Sequence, residues 1–166
     1  MKSILPLLVK LSCILGFLGL ASCATRAPLS PVRSDDEAHR ELAARVAARP
    51  ELAVLFVGNS YSFGVPKAFS RAAVARGKKV RTGHATYGGW TLARHVENEA
   101  TLNKIRNGRW DVVVIQEQSR IPSLPPGKRA ARMFPPLRRL VTEVRNHGAV
   151  PVLYQTWGRR DGDAEV

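Results

Sequence analysis

Six consecutive apolar residues, Leu52-Ala53-Val54-Leu55-Phe56-Val57, run directly into Gly58-Asn59-Ser60-Tyr61-Ser62. An unbroken apolar run of this length, closed by turn-forming residues, predicts a strand covered on both faces rather than one with a wet side. Similar runs recur at 111–115 (Asp-Val-Val-Val-Ile) and 150–155, with a weaker one at 79–85. Between them the hydrophobic period becomes helical. Helices are predicted over 66–76, stopped by Gly77, over 91–106, stopped by Asn107-Gly108, and over 128–147, broken near Pro135-Pro136 and ending at Gly148. Ahead of the first strand, Ser34 caps a helix through Asp35, Asp36 and Glu37 that continues over 38–48 until Pro50. Strand and helix alternating in this way specify an α/β fold with a parallel sheet covered on both sides.

A parallel sheet points all its strand carboxyl ends to one edge, and residues just beyond those ends meet there however far apart they lie in sequence. Here they are Gly58-Asn59-Ser60, Thr86-Tyr87-Gly88-Gly89, Gln116-Glu117-Gln118-Ser119 and Thr156-Trp157-Gly158. Acyl transfer needs a nucleophile and donors aimed at the oxygen that becomes negative, each donor worth ~10²–10³ in rate. Ser60 supplies a hydroxyl, the Ser60 and Gly89 amides are candidate donors, and the side-chain amide of Gln116 or Gln118 is a third. Taken singly, Ser60 reads as a turn or capping serine and Gly88-Gly89 as a loop. Their convergence at successive strand ends favours a catalytic site.

The amino terminus changes the setting. Met1-Lys2 and the apolar stretch 11–20 read as a signal peptide over 1–22, too short to span a bilayer comfortably. Leu20-Ala21-Ser22-Cys23 resembles the lipobox of bacterial lipoproteins. That resemblance implies lipidation at Cys23, a tether over 23–34 rich in Pro and Ser, and a domain over 35–166 held at the cell envelope, on the outer membrane. With Cys13 removed and Cys23 lipidated, no thiol is left for a disulfide or a Cys metal site. Without Lys2 and Lys10 the formal net charge falls from +13 to +11. Most of that charge is arginine scattered along helices, which reads as solvated surface rather than a nucleic-acid site. The four histidines fall at no metal-ligand spacing and Asp161 with Asp163 is a weak pair, so neither metal nor cofactor is expected.

Gly58-Asn59-Ser60, Thr86-Tyr87-Gly88-Gly89-Trp90-Thr91 and Trp110-Asp111-Val112-Val113-Val114-Ile115-Gln116-Glu117-Gln118-Ser119 resemble the first three blocks of the SGNH/GDSL hydrolases, over about 52–158. The resemblance implies a flavodoxin-like three-layer sandwich, of which about four strands are present. It also implies Ser60 as nucleophile, and Gly89 with a third-block amide, Gln116 or Gln118, as oxyanion donors. Asn59 stands where the family has Asp. The family's later Asp-x-x-His is absent downstream of Ser60, and the resemblance therefore implies a chain cut short before that block. Among the histidines, His84 is expected nearest the active edge, His95 within a helix, and His147 and His39 away from it. Gly58-Asn59-Ser60-Tyr61-Ser62 departs from the Gly-x-Ser-x-Gly elbow of α/β-hydrolases, and the phosphate-binding Gly-Lys-Ser/Thr signature is missing. Two functions follow from these residues. One is ester hydrolysis on an acyl, acetyl or glycan ester by a monomeric lipoprotein; the other is non-catalytic binding of a glycan or acylated ligand in the same groove.

Overall fold

The computed structural model describes residues 34–156. In chain order these form α1 (Asp35–Ala48), β1 (Glu51–Gly58), a single 3-10 turn (Ser60–Ser62), α2 (Val65–Val74), β2 (Lys79–Thr86), α3 (Leu92–Val96), α4 (Glu99–Asn107), β3 (Val112–Ile115), α5 (Pro126–Asn146) and β4 (Val150–Leu153). The four strands are parallel, in the order β2-β1-β3-β4.

Strand order and handedness together dictate the layers. The step from β1 to β2 runs one way across the sheet, and the steps from β2 to β3 and β3 to β4 run the other way. Right-handed crossovers therefore place α2 on one face and α3, α4 and α5 on the other. The two cores match this. Leu52, Val54 and Phe56 of β1 pack toward Leu42 and Val46 of α1 and Val65 and Phe69 of α2. Leu55, Val57, Val113 and Ile115 pack toward Leu92, Val96, Leu102, Ile105, Leu140 and Val144. The α/β expectation holds, as a three-layer, flavodoxin-like arrangement with β1 buried on both faces.

Local chemistry accounts for most boundaries. The Ser34 hydroxyl accepts from the Glu37 amide and the Glu37 carboxylate from the Ser34 amide, a reciprocal cap that starts α1. Its far end is closed by Lys78, whose ammonium donates to the Val46 and Arg49 carbonyls at 2.6 and 2.5 Å. Asp111 accepts from the Ala53 amide at 2.9 Å and pairs with Arg49 at 2.7 Å, tying the start of β3 to the start of β1.

Two helical expectations are corrected. The helix predicted over 91–106 is two helices, because the Asn98 side chain accepts from the Thr101 amide at 2.8 Å and opens a new first turn. The break predicted near Pro135-Pro136 does not occur: α5 is continuous through both. Each proline removes one backbone donor, but Leu137, Leu140, Val141 and Val144 bury an apolar stripe against the sheet only if the helix runs on.

Candidate active site

The sheet reverses direction at β1 and β3, and ligands in open α/β sheets bind beyond the strand ends at such a switch point. Gly58 closes β1 there, and Gln116 follows β3. The chain then turns sharply. The Ser62 amide donates to the Asn59 carbonyl at 2.9 Å and the Phe63 amide to the Ser60 carbonyl at 3.2 Å. Asn59 is buried and works in three directions. Its side-chain oxygen accepts from the Tyr61 amide at 3.2 Å, its side-chain nitrogen donates to the Trp90 carbonyl at 3.2 Å, and its own amide donates to Gln116 Oε1 at 3.1 Å. Ser60, at the crest, is exposed. Among the described residues its hydroxyl has no hydrogen-bond partner.

Next to the serine turn, which Asn59 ties to the Trp90 carbonyl, Tyr87, Gly88, Gly89 and Trp90 form a second tight turn, closed by the Trp90 amide on the Tyr87 carbonyl at 3.2 Å. Gly89 has φ 72, the left-handed value that the third residue of such a turn requires and that glycine adopts without a Cβ clash. The Trp90 ring stacks on Tyr87 with centroids 4.1 Å apart, and the Arg94 guanidinium lies 4.6 Å from its centre.

The two glutamines are used differently. Gln116 is buried, its Oε1 accepting also from the Ser62 hydroxyl at 3.0 Å while its side-chain nitrogen donates to the Glu117 carbonyl. It clamps the Ser60 turn to β3. Gly58 makes room for it, since a Cβ there would stand 2.7 Å from Gln116 Oε1. Gln118 is half-buried; its amide donates to Glu117 Oε1 and its side-chain oxygen accepts from the Arg120 amide at 2.7 Å, with no acceptor on its side-chain nitrogen among the described residues.

Two residues under the site had no role in the sequence reading. His95, placed there only in a helix, is fully buried directly beneath the Ser60 turn. Its Nε2 lies 3.0 Å from the Gly58 carbonyl oxygen and its Nδ1 3.2 Å from Thr101 Oγ1. Because a carbonyl only accepts, Nε2 carries the proton. Burial lowers the imidazole pKa, partly opposed by the Gly58 hydrogen bond, with Arg94 adding to the fall. His84, expected nearest the edge, is exposed on edge strand β2 with Nδ1 3.3 Å from Thr86 Oγ1. Glu117 is also buried. Its Oε1 accepts from the Leu92 amide at 3.0 Å and the Gln118 amide at 2.6 Å, and burial raises its pKa against the pull of those two bonds. The available signal was parity: Ile115 and Glu117 share a face of the chain leaving β3, and His95 stands beside Val96 and three residues after Leu92 on a buried face of α3.

A cavity of about 470 Å³ opens beside this edge between α5 and β4, with Leu92, Ile115, Glu117, Arg129, Phe134 and Tyr154 in its wall. Ser60 and Gly89 are not part of it. Among the described residues no group of three or more His, Cys, Asp or Glu side chains is placed to hold a metal. Cys23, Trp157, Asp161 and Asp163 lie outside the described residues.

No family model matches the chain, and no curated protein matches it. Among solved structures, a DUF4886 family protein from Bacteroides uniformis is similar with a TM-score of 0.54 and 22% identity, over 65% of this chain and 51% of that one. TesA is similar with a TM-score of 0.45 and 19% identity, over 61% of this chain and 58% of that one. The chain thus spans little more than half the length of either. The first likeness shows a shared fold.

Proposed function

We propose that the protein is a serine hydrolase of the SGNH type acting on acyl esters, with Ser60 as nucleophile. The observation that carries this reading is the Gln116 clamp. It holds an exposed serine on a tight turn at the switch point, beside a second turn that Asn59 ties to it through the Trp90 carbonyl and whose Gly89 has no atom within 4 Å of where a Cβ would stand. Ser60 Oγ would attack the ester carbonyl as its proton passes to solvent water, and the ester C–O bond would then break, its oxygen taking a proton from water to leave as the alcohol. Water would then hydrolyse the acyl-enzyme. The oxyanion would be met by the Ser60 and Gly89 amides, neither of which has a protein acceptor among the described residues, and by the free side-chain nitrogen of Gln118. Gln116, whose nitrogen is already committed, positions the turn.

The described residues supply no base to Ser60: His95 is spent on Gly58 and His84 lies beside Thr86. A nucleophile with an oxyanion hole but no triad partner retains roughly 10³–10⁴ of acceleration over water. The lipobox-like Leu20-Ala21-Ser22-Cys23 supports placing this activity on an exported, lipid-anchored protein. Moving Cys23→Ser from the membrane to the soluble fraction would test that anchor.

The test of the hydrolase reading is p-nitrophenyl acetate turnover and fluorophosphonate labelling, each compared with Ser60→Ala. Turnover and labelling lost in the variant support it. Equal rates and no labelling of Ser60 overturn it in favour of a second reading, a non-catalytic groove for a glycan or acylated ligand. The unpartnered Ser60 hydroxyl is what favours that alternative.

A further inference from the structure

We propose that Glu117 is the positioning residue that sets the Gly88-Gly89 turn against the Ser60 turn. Its structural part rests on geometry alone; its consequence for activity rests on the hydrolase reading above.

Residues 116 and 117 are consecutive where the chain leaves β3, and the two side chains reach opposite ways. Gln116 holds the Asn59 amide and the Ser62 hydroxyl. Glu117 holds the Leu92 amide, the first of α3, four residues after Gly88. Thr91, the capping residue of α3, makes no side-chain cap of its own. The carboxyl of Glu117 takes that place from another strand, so the loop carrying Gly89 is anchored to β3 in addition to its own Trp90–Tyr87 bond. Two adjacent side chains thereby fix the spacing of the two loops from a common base, and the Asn59 bond to the Trp90 carbonyl closes the triangle.

Glu117 does this in an unusual state for a carboxyl. Oε1 accepts twice, while Oε2 is buried and, among the described residues, has no partner. A carboxylate left this way would be an uncompensated buried charge, and burial accordingly favours the neutral acid. The charged and titratable groups around it do not offset this. Arg129 of α5 and Tyr154 after β4 share the cavity wall, but Arg129 donates to the Pro122 carbonyl at 3.3 Å. On α3, Arg94 lies over Trp90 and His95 is bonded to Gly58. Asp111, at the opposite end of β3, is paired with Arg49. Ionisation of Glu117 makes Oε1 a stronger acceptor for the Leu92 and Gln118 amides and leaves on Oε2 a buried charge with no partner among the described residues, so the loop that these bonds hold senses the titration.

The full chain, Glu117→Gln and Glu117→Ala would be followed by amide NMR at Gly88, Gly89, Leu92 and Gln118 from about pH 4 to about pH 9, alongside the rate of fluorophosphonate labelling at Ser60. In the unsubstituted protein the four amides should titrate together, with a midpoint above the ordinary 4.5 of a glutamate, and labelling should change along the same curve. Glu117→Gln, which keeps an oxygen for both amides, should lose that transition in both readouts. Glu117→Ala should label about 10- to 100-fold more slowly at low pH. Amides that do not titrate, or that titrate equally in Glu117→Gln, overturn the proposal. So does a labelling profile that keeps the same pH-dependent change in Glu117→Gln. If the unsubstituted protein does not label at all, the hydrolase reading fails, and the NMR arm still decides whether Glu117 positions the loop.

Discussion

Gln116 Oε1 stands 3.1 Å from the Asn59 amide nitrogen, a bond between residues 57 apart in sequence that decides where Ser60 sits. The same oxygen accepts from the Ser62 hydroxyl, so a single atom fixes both sides of the serine turn.

Removing that oxygen leaves the buried Asn59 amide and the Ser62 hydroxyl without a partner. Gln116→Ala should cost ~1–3 kcal/mol for the orphaned groups and a comparable further amount for the cavity. Urea unfolding measures the loss. Fluorophosphonate labelling of Ser60 in the folded fraction should slow with it; an unchanged labelling rate would contradict the clamp.

Gly58→Ala should act through the same contact. Its Cβ would lie 2.7 Å from Gln116 Oε1 and 3.0 Å from Ser62 Oγ, two buried atoms already bonded to each other. Overpacking of this kind costs ~1–3 kcal/mol. Gly88→Ala, where nothing lies within 4 Å, should be close to neutral in the same denaturation experiment. Because Gly58 and Gln116 share one contact, the double variant Gly58→Ala/Gln116→Ala should be less destabilised than the sum of the two.

Asp111 separates a buried acceptor from a partly exposed ion pair. Its side chain is 9% exposed, that of Arg49 49%. Arg49→Ala should therefore cost under about 1 kcal/mol. Asp111→Ala should cost ~2–3 kcal/mol, since it strands the buried Ala53 amide. Asp111→Asn, which keeps an acceptor oxygen, should fall between them. Chemical denaturation of the three variants gives the order.

Stability should respond to pH with opposite signs at two residues. The folded state resists protonating His95, so below the ordinary 6.5 the unfolded chain takes up a proton that the folded chain refuses. Stability is lost as the pH falls through that window. Glu117 is the reverse: its folded pKa lies above 4.5, so the folded chain holds the extra proton and stability is lost as the pH rises from 4.5 toward that value. Urea midpoints against pH should show a weaker acid-side decline in His95→Gln and a weaker neutral-side decline in Glu117→Gln.

Pro135 offers a stabilising change. It is exposed in the tenth position of a continuous α5, where proline forgoes a backbone hydrogen bond at a cost of ~3 kcal/mol. Pro135→Ala should raise the urea midpoint, the gain being reduced by the greater freedom of the unfolded chain.

The hydrophobic pattern alone was enough for the strands and the class of fold. Residues 52–57 and 112–115 are apolar without interruption because both faces of β1 and β3 are covered, and that leaves a mark in one dimension. Gly58-Asn59-Ser60 and Gly88-Gly89 were legible as strand-end turns for the same reason: glycine and asparagine report local backbone demands. Where two helices met or one continued was less legible. Asn98 starts a new helix through a local cap inside a helical period, and α5 passes through two prolines because its long apolar stripe is buried against the sheet. The sequence also contained Gln116, Glu117 and Gln118 as three polar residues in a row, without distinguishing them. Only the folded sheet did so, by turning one toward the Ser60 loop, one toward α3 and leaving the third half in solvent. It likewise put His95 under Gly58, across 37 residues, while leaving His84 at the exposed edge. Local propensity is written residue by residue, but a hydrogen bond between distant strand ends exists only once parallel packing has brought those ends to one edge.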